Sequence, residues 1–549
     1  MKLRFNFATA RPVAHYARLC NQFLQHPNVK AIRHNDQGYA IEAEGEQPQL
    51  EQLADLLAAT LPLSCWSTGT STEAIEQFSG EAQELPYQYS DIAYCRHCLD
   101  KPTEDCRHCG TPADAVVDID ALVADFVEVG RASYRNHRGR RTVVALSQIT
   151  AEHQQLMFCN GKDLNQALYI DNDGVLRLSG IEKPQLRLQP RPAFSQQHQL
   201  PRPLYNCHLA DDRIAHQLAL RLAERGVVAV AVECDYQPLL IAQWLNGPAA
   251  LAGDPALTPL AVREPQQYSA HVGHYRACYH NDKVKLTRCD ISKPVEPTKA
   301  AEYALQAMQQ QQRFDDSTAV LYLSRQHQSG VIYKDRQGQI QWLVKLDYQD
   351  ANPADRLTAL ASSSASAERL IERFQAKHGD WLAQLTATNH RRPRGNLSGI
   401  MAMVAWLWEL DGGHDVQIAA EALLASALGH NQLKAPRIDF RLRKGEDAAE
   451  VDFLPALQAA ISYRLADPDG AAGVAFGVID SFADFVGNWI ERLDADIGLS
   501  GLVLAGDEFD NPILLQQLRL RLARNIKLSL PQPLDIAGNN LALGALFCH

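Results

Sequence analysis

The stretch Gly501-Leu-Val-Leu-Ala-Gly506-Asp507-Glu-Phe-Asp-Asn511 decides how the second half of this chain folds. An apolar strand runs into a polar turn. Pro512-Ile-Leu-Leu-Gln-Gln-Leu-Arg-Leu-Arg-Leu then reads as a helix. A buried strand feeding a helix through a glycine turn is how many α/β folds present a phosphate site. A basic, β-prone piece (Ile526-Lys-Leu-Ser-Leu530), a Pro-bounded turn over 531–540 and a small-residue helix, Leu541-Ala-Leu-Gly-Ala-Leu546, complete the chain. Taken alone, these pieces read as an ordinary β-turn-α unit.

Working outward, three more stretches fall into line. Asn396-Leu-Ser-Gly399-Ile-Met-Ala-Met403-Val-Ala-Trp-Leu407 is an amphipathic-to-buried helix. His414-Asp-Val-Gln417-Ile-Ala-Ala-Glu421 and Val474-Ala-Phe-Gly-Val-Ile479-Asp-Ser-Phe-Ala483 follow. In this order the stretches resemble the C-terminal part of the HypF family, the carbamoyltransferases of nickel–iron hydrogenase maturation. That family writes them roughly as S-S-A-G-R-L-F-D-A-V, Y-E-G-Q-A-A, I-A-x-x-F-H-x-x-L-A, S-G-G-V-F-Q-N and P-P-N-D-G-G-I-A-L-G-Q.

The resemblance implies an actin-like (ASKHA) transferase-type domain over 311–549, using ATP with Mg²⁺. It makes Gly399, Gly506 and Asn511 the candidate cofactor-binding residues. Several polar family positions differ. Met403 stands for Asp, Ile479 for His, Asp507 for Gly, and Gly538 for the Asp of N-D-G-G. A metal or phosphate site needs carboxylate and imidazole ligands, so these changes keep the apolar skeleton and remove chemistry. The strand triplet Thr318–Ser324, Val331–Asp335 and Gln339–Leu346 matches the β-meander that opens such a lobe. Its first turn is Arg325-Gln-His-Gln-Ser-Gly330, without the metal-binding Asp of the expected Asp-Gly-Thr.

At the other end, residues 1–90 alternate and punctuate as a β-α-β-β-α domain, with Asn35-Asp-Gln-Gly38 as the hairpin turn. It resembles the acylphosphatase-like domain that opens HypF. The phosphate loop there is Phe7-Ala-Thr-Ala-Arg11-Pro12. Arg11 matches the family, the glycines do not, and His34 stands where the family has its catalytic Asn. Arg11 and His34 are the catalytic candidates. A phosphate cradle needs glycine for close backbone approach, so a structural role is expected.

Tyr94-Cys95-Arg-His-Cys98 and Cys106-Arg-His-Cys109-Gly110 are two C-x-x-C knuckles within residues 91–114. Each puts two thiolates on one tight turn, and two turns close a tetrahedron around Zn²⁺. Such a site is structural, and His97 and His108 are expected to be spectators. Residues 115–310 form an α/β middle region. It contains a helix at Asp118–Arg131, a strand at Arg141–Leu146, a hairpin candidate at Ala167–Leu178 and a Pro/Gln-rich linker near 185–203. The helix-Gly-strand order of 212–233 faintly resembles a YrdC-like domain, the part of HypF that makes carbamoyl-adenylate, as a remnant. His271, His274 and His280 read as surface histidines. On length, the resemblance implies a chain roughly one domain short of a full HypF.

With 21% charged and 46% hydrophobic residues, the 549-residue chain is an ordinary multidomain α/β protein. A net charge of -11 disfavours general nucleic-acid binding. There is no apolar membrane-length run and no signal core, so a cytoplasmic location is expected. The resemblance implies carbamoyl phosphate, ATP and a maturation partner with an acceptor thiol. Two other readings stand beside that enzyme: a catalytically degenerate, zinc-containing scaffold for maturation or metal-centre assembly, and a tRNA threonylcarbamoylation-type factor. Whether the transferase site is active is left open by the sequence.

Overall fold

The strand at the head of the C-terminal stretch is Gly501–Ala505, and each of its residues is buried. It runs parallel to Thr318–Tyr322, with Ala319 beside Leu502 and Tyr322 beside Ala505. Both strands are buried on both faces, which is why they read as unbroken apolar runs. The computed structural model describes residues 1–10, 12–35, 38–87, 92–236, 238–244, 247–252, 260–312, 317–346, 351–387, 394–410, 415–432, 434–531 and 538–548. Two compact units are present. The first comprises Met1–Pro201, Tyr205–Ile241 and Asn246–Pro248, and the second Arg202–Leu204, Ala242–Leu245 and Ala249–His549.

In the second unit a seven-stranded sheet has the order Arg441–Lys444, Ala449–Asp452, Ile340–Leu346, Gly330–Lys334, Thr318–Tyr322, Gly501–Ala505 and Leu528–Ser529. The expected meander forms its middle, antiparallel throughout. Helix Leu397–Leu407 is buried on every side, as an all-apolar helix must be. A second layer packs Ala300–Gln312 and Asn539–Ala545 with the hairpin Ser269–His280 and Lys283–Lys293; Val503 and Ala505 of the central strand belong to the same core. His271, His274 and His280 lie on that hairpin, where His271 Nε2 meets the Ile291 carbonyl at 3.1 Å.

In the first unit, Lys2–Thr9, Val29–Asn35, Gly38–Glu44 and Ser67–Ala74 make an antiparallel sheet. Phe5 and Phe7 face inward while Arg4 and Asn6 stay half-buried, the alternation the sequence shows. Six neighbouring strands of a larger, eight-stranded mixed sheet run in the order Gln185–Leu188, Tyr205–Leu209, Gln155–Phe158, Ala229–Cys234, Gly139–Ala145 and Arg131–Asn136. Helices Ile119–Val129 and Arg213–Ala223 cover it through Leu122, Phe126, Leu218 and Leu222 against Met157 and Val230.

Two expectations fail in this region. The Pro/Gln-rich stretch near 185–203 is not a linker: it holds strand Gln185–Leu188 and helix Pro192–His198. Pro192 sits in the first helical turn, where proline is tolerated. Ala167–Leu178 is not a hairpin but the end of helix Leu164–Ala167 and the helix Asn172–Leu178. Asp171 caps the latter by accepting a hydrogen bond from Gly174 N, so the Asp-Asn-Asp-Gly run starts a helix instead of turning a hairpin. Among the described residues no helix is long and apolar enough to cross a membrane.

Candidate functional site

The two knuckles bring their cysteines together. Sγ–Sγ separations are 3.9 Å for Cys95–Cys98, 3.6 Å for Cys95–Cys106 and 3.7 Å for Cys98–Cys109. All ligand atoms lie within 4.8 Å of one another. Sulfurs held at about 2.3 Å from a zinc ion stand about 3.8 Å apart in a tetrahedron, so the donor set fits a metal ion. Tight turns set this geometry: Cys98 N donates to Cys95 O (3.1 Å) and Gly110 N to Cys106 O (2.8 Å). His97 and His108 stack face to face outside the cluster, ring centroids 4.0 Å apart, and are not donors to it.

Sequence reading missed the residue that holds this module in place. Arg213 is fully buried at the start of its helix. Its Nε donates to Asp114 Oδ2 (3.0 Å), its Nη1 to the carbonyls of Lys101 (3.1 Å) and Glu104 (2.9 Å), and its Nη2 to that of Pro112. Asp114 also accepts from His137 Nδ1 at 2.7 Å. Burial alone would raise the Asp114 carboxyl; the His137 hydrogen bonds and the Arg213 charge outweigh it and hold the group below the usual carboxylate range. The signal was present as a lone arginine on an otherwise apolar helix face.

Of the catalytic candidates in the first domain, His34 is exposed on strand Val29–Asn35 and stacks on Tyr39 at 4.5 Å. Arg11 lies outside the described residues. The Val13 N–H, just past the loop, already donates to Tyr39 Oη (2.9 Å).

In the second unit the C-terminal candidates converge, but on one another. Gly506 has φ +107°, and a Cβ there would stand 2.0 Å from the Leu323 carbonyl oxygen. A Cβ on Gly399 would stand 1.8 Å from the Arg394 carbonyl oxygen. These glycines allow backbone to meet backbone. Asn511 caps helix Pro512–Leu522, accepting from Ile513 N (3.1 Å) and Leu514 N (3.2 Å).

The phosphate-type turn after Thr318–Tyr322 is equally occupied. Ser324 N donates to Ser329 Oγ (2.8 Å) and Arg325 N to Asp507 Oδ1 (2.8 Å). Gln326 N and His327 N share Ser324 Oγ, and Gln328 N reaches Pro297 O (3.1 Å). The Arg325 guanidinium bonds Asp507 O (3.0 Å) and Asp510 Oδ1 (2.5 Å). At the start of helix Leu397–Leu407, Ser398 N donates to Glu508 Oε1 (2.7 Å) and Gly399 N to Asn396 Oδ1 (2.9 Å). Burial lifts the Glu508 carboxyl to about 7. The backbone N–H groups named here are thus bonded within the chain. Met403 and Ile479, where the resemblance has Asp and His, are 1% and 0% exposed inside the core. His414 lies outside the described residues.

No family model matches the chain. Protein HydE of Wolinella succinogenes is 27% identical over 187 residues. That match spans 34% of this chain and only 34% of HydE. Among solved structures, full-length HypF in its phosphate- and nucleotide-bound form aligns with a TM-score of 0.61 at 10% identity, covering 100% of this chain and 97% of that one. HypF of T. kodakarensis aligns at 0.57 and 11% identity, covering 100% and 98%. The chain is thus a mixed α/β multidomain protein. Its fold is that of HypF.

Proposed function

We propose that this chain is a HypF-derived protein of nickel–iron hydrogenase maturation that serves as a zinc-containing scaffold and does not turn over carbamoyl phosphate. The observation that carries this reading is the burial of Met403 and Ile479, apolar side chains at the positions where the resemblance has its polar chemistry. Neither can ligate a hard cation such as Mg²⁺ or move a proton. In this reading residues 1–90 are the acylphosphatase-like domain, 91–114 the zinc module, 115–310 the middle region and 311–549 the actin-like domain. Zinc is the ion because the site offers thiolates alone, in a closed set. The partner is a maturation protein docked on the retained fold.

A second reading is an active carbamoyltransferase acting on a partner's thiol with ATP and carbamoyl phosphate. The whole-chain likeness to HypF supports it. The discriminating experiment is AMP release from ATP by the zinc-loaded full chain, with and without carbamoyl phosphate. Background AMP alone is expected. Release that depends on carbamoyl phosphate would overturn the scaffold reading in favour of the enzyme.

A further inference from the structure

Among the described residues, the turn after Thr318–Tyr322 and the start of helix Leu397–Leu407 bond to acceptors from the protein itself, and two of those acceptors are carboxyl groups from one short turn. Asp507 takes the Arg325 N–H, and Glu508 takes the Ser398 N–H at a helix start. Both elements are of the kind that holds phosphate in α/β proteins: a strand-to-strand turn rich in backbone N–H groups, and the positive end of a helix dipole. The helix has eleven residues, Leu397–Leu407, so its dipole is developed.

We infer that the carboxyl groups of Asp507 and Glu508 act as internal acceptors in place of phosphate oxygens, so that the turn and the helix start are held by the chain itself. This rests on the scaffold reading and deepens it by naming what occupies the phosphate positions. Arg325 completes the closure. Its guanidinium ties the Asp507 carbonyl and the Asp510 carboxylate together, and its own carbonyl accepts from Arg394 Nη1 at 3.2 Å. Asn396 adds a further tie, donating through Nδ2 to Ser324 O at 3.0 Å. The turn, the helix start and the segment that follows strand Gly501–Ala505 are thereby cross-linked. An exogenous anion has to displace a covalently tethered carboxyl group, whose effective concentration is far higher.

Removing one carboxyl should then expose a site that an anion fills. The test is chemical rescue on the zinc-loaded full chain. Asp507→Gly and Glu508→Ala are each melted with inorganic pyrophosphate, and with sodium chloride at matched ionic strength. Both variants are expected to melt below wild type. Pyrophosphate at about ten times its dissociation constant should then return about 2–4 °C. Wild type should not respond, nor should Asp507→Asn, whose amide oxygen still accepts from Arg325 N–H.

An equal pyrophosphate shift in wild type would overturn the inference, because the cleft would already be open. So would the absence of rescue in folded Asp507→Gly. If Glu508→Ala does not fold, Asp507→Gly decides alone, since that side chain is a quarter exposed. Failure here is separable from failure of the scaffold reading. Unresponsive variants with no AMP release sink only the internal-acceptor claim, whereas AMP release by wild type that depends on carbamoyl phosphate sinks the scaffold reading.

Discussion

The four-cysteine cluster and the C-terminal cleft are built from the same ingredients with opposite outcomes. In both, tight turns present polar groups at close quarters. At the cluster the turns point thiols of one kind at a common centre. At the cleft, donors and acceptors of both kinds are supplied, and they satisfy one another: Arg325 with Asp510, Ser398 with Glu508, Asn396 with Gly399. A site stays available to a ligand when its own groups repel or cannot pair. It closes when evolution supplies the complement in the same chain.

The sharpest break of this comparison is Cys98→Ser. It should abolish metal retention and cost most of the roughly 10 kcal/mol that a four-thiolate ion contributes, read by metal analysis and unfolding of the first unit. Metal retention by that variant would mean the cluster is not the site. Next in size is Arg213→Ala, which strands the buried Asp114 carboxylate. Denaturant unfolding should show a loss of about 3–5 kcal/mol, against little change for an exposed arginine.

The cleft is tested by pH. Glu508 titrates near 4.3 when unfolded and at about 7 when folded. Between those values the folded chain keeps a proton that the unfolded chain has released. Its contribution is therefore complete below about pH 4 and is lost as pH rises through about 7. Wild type should lose on the order of 3 kcal/mol across that window from this group, and Glu508→Gln should not. A parallel pH profile for the two proteins would refute the assignment. The smallest effect is expected at Asn511→Ala, about 1 kcal/mol for a lost helix cap, with the pyrophosphate response unchanged.

What the sequence revealed follows from range. The knuckles are legible because their spacing is local and thiolate chemistry has few alternatives. The strand Gly501–Ala505 and its helix are legible because apolar runs, glycine and proline speak for themselves. The cleft's closure is not, since Arg325 and Asp507 lie 182 residues apart and nothing near either names the other. The same holds for Arg213 and Asp114, 99 residues apart. The errors at 167–178 and 185–203 had a different cause. Asp, Asn, Gly and Pro serve helix starts as readily as turns, and only the surrounding packing decides.

Arg213 has one further consequence. Because one buried side chain bonds the carbonyls of Lys101, Glu104 and Pro112 while standing at the head of helix Arg213–Ala223, the metal module and the larger sheet's covering helix share their fate. Metal activity then becomes a thermodynamic control on that helix. At free metal a hundredfold above its dissociation constant, the linkage is worth about 2.7 kcal/mol. As the metal is withdrawn, amide exchange should quicken in a helix that carries none of its ligands, so that the chain's lifetime reports the supply of the ion.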